Sequence, residues 1–297
     1  MLLRSLVVSG VLALIGLIGL WMLPKPDALL SLTAQSHYLS YEVVDPNAST
    51  IQLQNARLTQ RSDDPFSAQP IKSSCVSGEF LPALGTAVSY QAGGDGTVSI
   101  SIASREQAGV AATIQTISDE EIEMGEFDLI QLSARDVECK AEFGSLPVWG
   151  PGEIGSVRTF GAAHSPSKEL LGGEVIIVAK AIEKLFFVIP GATGLYEAGR
   201  ITLPTGAQIR IDEGGWIGSA RLNESSGSLL QVDLSTDNDT IWMWRAGAST
   251  DAGAIPIGAS AFVRQTRDPG VIGLQIVLAI VLLVTQTVAA LAQTVRT

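Results

Sequence analysis

The sequence predicts an all-β domain held at both ends by transmembrane helices, and three observations lead there. Uncharged apolar stretches of about 20 residues lie near both ends of the chain. All 30 acidic residues fall between them, from Asp27 to Asp268. The intervening chain is a succession of short alternating or β-branched runs separated by Gly, Pro, Asn or Asp.

The first apolar stretch, Ser5–Leu23, follows only Arg4 and the N-terminal amine. A short basic start and an apolar core read as a Sec-type signal anchor. Pro24 and Pro26 stand where a small-x-small cleavage site would be needed, so the anchor is expected to stay uncleaved. The second stretch, Val271–Ala292, is followed by Arg296. Lys25, Arg264 and Arg267 on the domain side nearly balance the flanking charges, so the positive-inside rule orients the chain weakly. The expected arrangement is a bacterial inner (cytoplasmic) membrane protein with both termini cytoplasmic and its main domain periplasmic. Trp21 is placed as an interfacial anchor.

Between the spans, all but two of the 19 basic residues oppose all 30 acidic ones, a net charge of −13. Such a surface repels nucleic acid and anionic headgroups. It suits solubility, or a basic protein patch.

The strand-like runs are Tyr38–Val44, Ile51–Leu58, Val98–Ala103, Ala112–Ile117, Leu129–Ser133, Glu174–Val178, Leu185–Ile189, Gln208–Ile211, Leu229–Leu234 and Ile241–Trp244. No sustained helical period interrupts them. Ser118–Met124 alone starts like a capped helical turn before meeting Gly125. Closely spaced strands with frequent glycine point to a sandwich or barrel-like architecture.

A duplication is expected within it. Laying Cys75–Ile102 over Tyr196–Asn223 brings Gly78 onto Gly199, Gly85 onto Gly206, and Gly93-Gly94 onto Gly214-Gly215. Phe80, Val88 and Tyr90 then fall on Ile201, Ile209 and Ile211, which keeps turns on turns and apolar positions on apolar positions. The predicted organisation is a span at 5–23, β half-domains at 29–145 and 170–266, a Gly/Pro-rich linker at 146–169, and a span at 271–292.

Groups able to carry chemistry are few. Cys75 and Cys139 have no CxxC or Cys/His neighbourhood and are expected to form one disulfide in an oxidising compartment, two buried thiols being the alternative. His37 and His164 are the two histidines, too few for a His/Cys metal cluster. Ser165 and Lys168 have the Ser-x-x-Lys spacing of serine acyltransferases, but Pro166 follows the serine inside a Gly/Pro-rich loop. Asp233 to Asp239 resembles half a calcium loop without its central glycine or distal glutamate. Glu120, Glu121, Glu123, Glu126 and Asp128 read as a solvated face. No catalytic residue, cofactor or metal site is expected.

Two features point instead to contact. Trp242 and Trp244 flank Met243, so their indoles share one sheet face; with Trp149 and Trp216 they could line a groove for a flat ligand. On the second span Gln275, Gln286 and Gln293 fall on one helical stripe, while Ser9, Gly16 and Gly19 share a face of the first. Amides and small residues are what helices use to pack against each other in lipid. The sequence therefore suggests a non-catalytic accessory or assembly subunit of a membrane or envelope complex. Its partners would be the bilayer and other membrane subunits or a copy of itself. The alternative is a periplasmic module binding glycan, lipid or peptide.

Overall fold

The computed structural model describes residues 28–61, 70–104, 110–126, 128–142, 144–155, 169–180, 195–223, 229–245, 253–258 and 267–294. Among them sixteen strands join one sheet, and one long helix follows. The first eight strands are β1 (Ala28–Ser36), β2 (Tyr38–Glu42), β3 (Ile51–Arg61), β4 (Pro70–Pro82), β5 (Ala87–Ala92), β6 (Thr97–Ala103), β7 (Ala112–Thr116) and β8 (Glu121–Met124). Then come β9 (Leu129–Ser133), β10 (Leu146–Ile154), β11 (Leu170–Lys180), β12 (Leu195–Leu203), β13 (Gln208–Asn223), β14 (Leu229–Thr236), β15 (Ile241–Trp244) and β16 (Ala254–Ile257). In space they run β12-β11-β1-β14-β13-β10-β2-β5-β6-β9-β3-β4-β7-β8, with β15 on β13 and β16 on β15.

The chain divides into two compact units. The larger comprises residues 29–176 and 200–258; the smaller comprises 1–28, 177–199 and 259–297.

Alternation builds the core. In β1, Leu30, Leu32 and Ala34 are buried while Leu29 and Thr33 face outward. They pair with Thr236, Leu234 and Val232 of β14, which are buried as well. A side-chain period of two places each such set on one face of the sheet. Tyr41 of β2 and Tyr90 of β5 add a buried polar link. Their hydroxyls are 3.1 Å apart, and Tyr90 donates to the Pro147 carbonyl at 2.8 Å. Burial pushes both phenols above their ordinary pKa, Tyr90 the more strongly.

β13 departs from simple alternation. Ile209 and Ile211 are buried before residue 212, but beyond it the buried side chains are those of Trp216 and Ala220, so the phase flips. The flip falls at Gly214 and Gly215, whose φ values of 71° and 76° lie in the left-handed region that glycine tolerates best. The partner strand β10 shifts register between Gly150 and Gly152 at the same place. A Cβ on Gly215 would meet the Gly150 backbone at 2.6 Å, so this close crossing needs glycine for space as well. The irregularity turns Trp216 into the core.

Several expectations need correction. Ser118–Met124 is a tight turn leading into β8, not a helical turn. Its Glu-Ile-Glu-Met end alternates, and pairing with β7 satisfies its backbone. The first nine residues of the expected linker 146–169 form β10, a strand inside the sheet between β13 and β2. Pro147 and Pro151 are accommodated there among Gly150, Gly152 and the register shift. The expected strand Leu185–Ile189 and the first span, 5–23, lie outside the described residues.

The helix α1 spans Pro269–Thr294, slightly wider than the expected second span. Asp268 caps it: its Oδ1 accepts from the Gly270 N–H at 2.7 Å and the Val271 N–H at 3.2 Å. Pro269 opens the helix, where a missing N–H costs nothing. Residues 269–288 have a mean hydropathy of 2.4, long and apolar enough to cross a membrane by length and composition. From Ile276 onward most of its large apolar side chains are exposed, Ile280 at 55% and Leu283 at 67%, while Leu282 is half-buried. The Thr285 and Thr287 hydroxyls donate back to the Leu282 and Leu283 carbonyls, so both donors are satisfied within the helix itself.

Candidate functional site

The most developed surface feature arises where β4 outlasts one of its neighbours. β3 pairs with β4 from Phe80 back to Pro70, whereas β7 reaches only Gly78 to Pro82. Residues 72–77 of β4 therefore have no strand on the β7 side among the described residues. A groove of about 850 Å³ opens there, with Leu58 and Val76 in its floor and Glu120, Glu121 and Glu123 along its far wall.

That wall is rigid. The Thr116 N–H donates to the Glu120 carbonyl at 2.9 Å, and the Glu120 N–H donates to Thr116 Oγ1 at 3.1 Å. Asp119 takes a left-handed φ of 59° to close the turn, a conformation Asp and Asn adopt more readily than most residues. β8 then returns toward β3. Gln60 Nε2 donates to the Glu123 carbonyl at 3.5 Å, and Asp128 accepts from the backbone N–H groups of Arg61 at 2.8 Å and Gly125 at 3.0 Å. The strands β3, β4, β7 and β8 thus curl so that the groove lies between them.

Cys75, on the open part of β4, is bonded to Cys139 across a Cα separation of 5.3 Å. Cys139 is placed by Asp136, whose Oδ1 accepts from the Glu138 N–H at 2.9 Å and the Cys139 N–H at 3.1 Å. Arg57 holds that carboxylate in a fork, Nε to Oδ2 at 2.8 Å and Nη2 to Oδ1 at 2.9 Å, and also reaches Glu138 at 3.0 Å. Arg57 stands opposite Cys75 in the β3–β4 ladder, so clamp and disulfide brace one spot. The hydrogen bonds from Arg57 hold the Asp136 carboxyl well below the usual carboxylate range. A depressed pKa contributes stability that is present above the unfolded value, about 3.9, and is lost as pH falls through the folded one. Asp136→Asn should therefore be less stable than the parent at neutral pH, with the gap closing as acid titration proceeds below about pH 4. Urea midpoints measured along a pH series check this; a gap constant down to pH 2 would refute it.

The indoles separate. Trp242 and Trp244 lie on the outer side of β15, opposite the buried Ile241 and Met243, as their spacing requires. Trp242 pairs with Arg210 and Pro256, and Trp244 with Gln208 and Ala254. Trp149 is also partly exposed and pairs with the exposed Ile217. Trp216 does not join them: it is fully buried, and its indole N–H has no hydrogen-bond partner among the described residues. A second groove, of about 440 Å³, is lined by β2, β10 and β13. Gln208 Nε2 donates to Glu153 Oε2 at 2.6 Å beside it, and Arg210 pairs with Asp212 at 2.5 Å.

Other sequence candidates are placed as follows. Gln275 and Gln286 are exposed on α1; the Gln293 side chain and all of Ser9, Gly16 and Gly19 lie outside the described residues. His37 sits at the bend between β1 and β2, where its backbone N–H donates to the Glu169 carbonyl at 3.0 Å. His164, Ser165 and Lys168 are outside the described residues. The resemblance to a calcium loop dissolves because Asp233 belongs to β14, paired with Thr33 and Ser219, leaving a short turn before β15. Among the described residues no group of three or more His, Cys, Asp or Glu side chains is arranged to hold a metal ion. What the arrangement offers is binding surface: an open strand edge, exposed carboxylates and exposed indoles. The open edge had no single-residue signature, since it depends on β4 being longer than β7. No protein-family description matches the chain, and neither curated proteins nor solved structures match it.

Proposed function

We propose that this protein is a membrane-anchored, non-catalytic subunit that holds a periplasmic β domain within a larger membrane or envelope complex. The observation that carries the reading is α1. Its apolar side chains are exposed, a state suited to lipid and costly in water. Gln275 and Gln286 are exposed on the same stripe. An amide in hydrocarbon lacks hydrogen-bond partners, and a second helix supplies them. The disulfide favours the periplasmic side, because such bonds persist in oxidising compartments.

A duplicated architecture fits a scaffold of this kind, and specific registers support it. Gly85 and Gly206 have the same φ of 76° in equivalent turns, closed by the Thr86 and Ala207 N–H groups on the Ala83 and Pro204 carbonyls. The cross-strand set Tyr41–Val88–Ile102 matches Ile154–Ile209–Met243, and all six are buried. The neighbouring set Ser40–Ser89–Ser101 matches Glu153–Arg210–Trp242, none of them buried. β2 and β10 pair as Tyr41–Gly152, Ser40–Glu153 and Leu39–Ile154, which is a local twofold centred on Ser40 and Glu153. The correspondence fails at the second glycine pair. Gly93-Gly94 lies in the short β5–β6 turn, whereas Gly214-Gly215 lies inside β13, before the long β13–β14 hairpin.

The test is extraction in mild detergent followed by native mass measurement of the parent and of the Gln275→Leu/Gln286→Leu double variant. Stoichiometric co-purifying subunits, or self-association, are expected for the parent. The double variant should insert normally yet associate more weakly, by about 0.6–2 kcal/mol per lost interhelical hydrogen bond. A lone monomer in both samples would refute the reading. If that monomer retained glycan or lipid, the second reading, a ligand module using the exposed Trp149 and Trp242, would be favoured.

A further inference from the structure

We propose that the open edge of β4, residues 72–77, is a docking surface for an extended basic peptide segment of a partner protein, which adds to the sheet by backbone pairing. The first support is the edge itself. β3 occupies one side of β4 along its whole length, but on the other side β7 stops at the Gly78–Thr116 pair. An unpaired edge presents N–H and C=O groups to any chain of matching conformation, and proteins ordinarily blunt it with charge, proline, a bulge or a covering loop. Lys72 is the one charged residue on this stretch, and both prolines of β4, Pro70 and Pro82, lie outside it. Six residues at about 3.3 Å each give a track of roughly 20 Å, enough for a peptide of similar length.

The groove's chemistry selects the occupant. Leu58 and Val76 are buried in its floor, Ile122 lies beside them, and Ile117 is 85% exposed at its end. These suit the apolar half of an alternating strand. Glu120, Glu121 and Glu123 are exposed along the wall and make no ion pair among the described residues, against the single cation Lys72. Carboxylates at alternate positions of β8 therefore favour lysine or arginine on the other half of the incoming strand and reject acidic segments. The Cys75–Cys139 bond and the Arg57 clamp fix β4 directly under this edge, so little ordering is left for binding to complete. The inference does not depend on how the chain meets the membrane, and its failure would leave α1 as it stands.

The probe is an amidated eight-residue peptide of alternating lysine and valine, titrated into the full-length protein in detergent. Fluorescence anisotropy reads affinity and amide hydrogen exchange reads location. Saturable binding is expected, with slowed exchange at residues 72–77. Affinity should fall at least tenfold in the Glu120→Gln/Glu121→Gln/Glu123→Gln variant, whose surface substitutions leave the fold and disulfide intact. Binding should be lost when two central valines of the peptide are replaced by proline, since proline cannot donate to a ladder. A glutamate–valine peptide should not bind. Absence of binding, binding that tolerates proline, or protection confined to other segments would each overturn the proposal.

Discussion

Replacing Trp216 with alanine is expected to lower unfolding free energy by about 3–5 kcal/mol, the range for emptying a fully buried aromatic site. The side chain is wholly inaccessible, and it lies where β13 changes phase, so neighbouring backbone is held in an irregular register that collapses poorly into a void. Trp216→Phe should cost much less. Phenylalanine keeps most of the volume, and it removes a buried indole N–H that has no hydrogen-bond partner among the described residues, a group whose desolvation disfavours the folded state. Urea unfolding followed by near-ultraviolet circular dichroism distinguishes the two. Equal losses for Ala and Phe would mean that the indole N–H is engaged, and a loss below 1 kcal/mol for Ala would mean that the site is not part of the cooperative core.

The second large effect concerns the disulfide. Cys75 and Cys139 close a loop of 64 residues. The chain-entropy relation gives about 4 kcal/mol of stabilisation through restriction of the unfolded chain. Cys75→Ser/Cys139→Ser should accordingly lose about that much unfolding free energy, read as a lower urea midpoint with an increased slope because its denatured state is less compact. Reduction of the parent protein should reproduce the double variant's midpoint. The thiols should resist alkylation until a reductant is added under denaturing conditions; free labelling without reductant would contradict the bond.

Legibility of the sequence varied with how local the cause was. Leu129–Ser133 and Ile241–Trp244 were readable to the residue, because alternation between turns is written in adjacent positions. The cysteine pairing was the only one available, and α1 announced itself by length and absence of charge. β10 was hidden by its own prolines and glycines: Pro147, Gly150, Pro151 and Gly152 resemble a linker until a register shift on β13 accommodates them. β8 was hidden by Glu121 and Glu123, which are poor strand formers, yet pairing with β7 overrides local preference. Trp216 was grouped with the other indoles because the phase change at Gly214-Gly215 cannot be counted from spacing alone. The groove beside β4 belongs to none of these classes. It is a difference in length between two strands whose nearest ends lie thirty residues apart in sequence.

The place of β1 has a consequence in time. Leu30 pairs with Thr236 and Ser36 with Leu230, so the first strand among the described residues is seated between neighbours made much later. Until β11 and β14 exist, Leu30, Leu32 and Ala34 have no apolar surface of their own sheet to cover them. Loop-closure entropy for so distant a pairing must be overcome before the contact yields any return. The place of β1 in the sheet can therefore be filled only once β11 and β14 have been made. A chain interrupted anywhere before residue 230 leaves that strand exposed, which marks truncated copies for aggregation or degradation rather than for partial use.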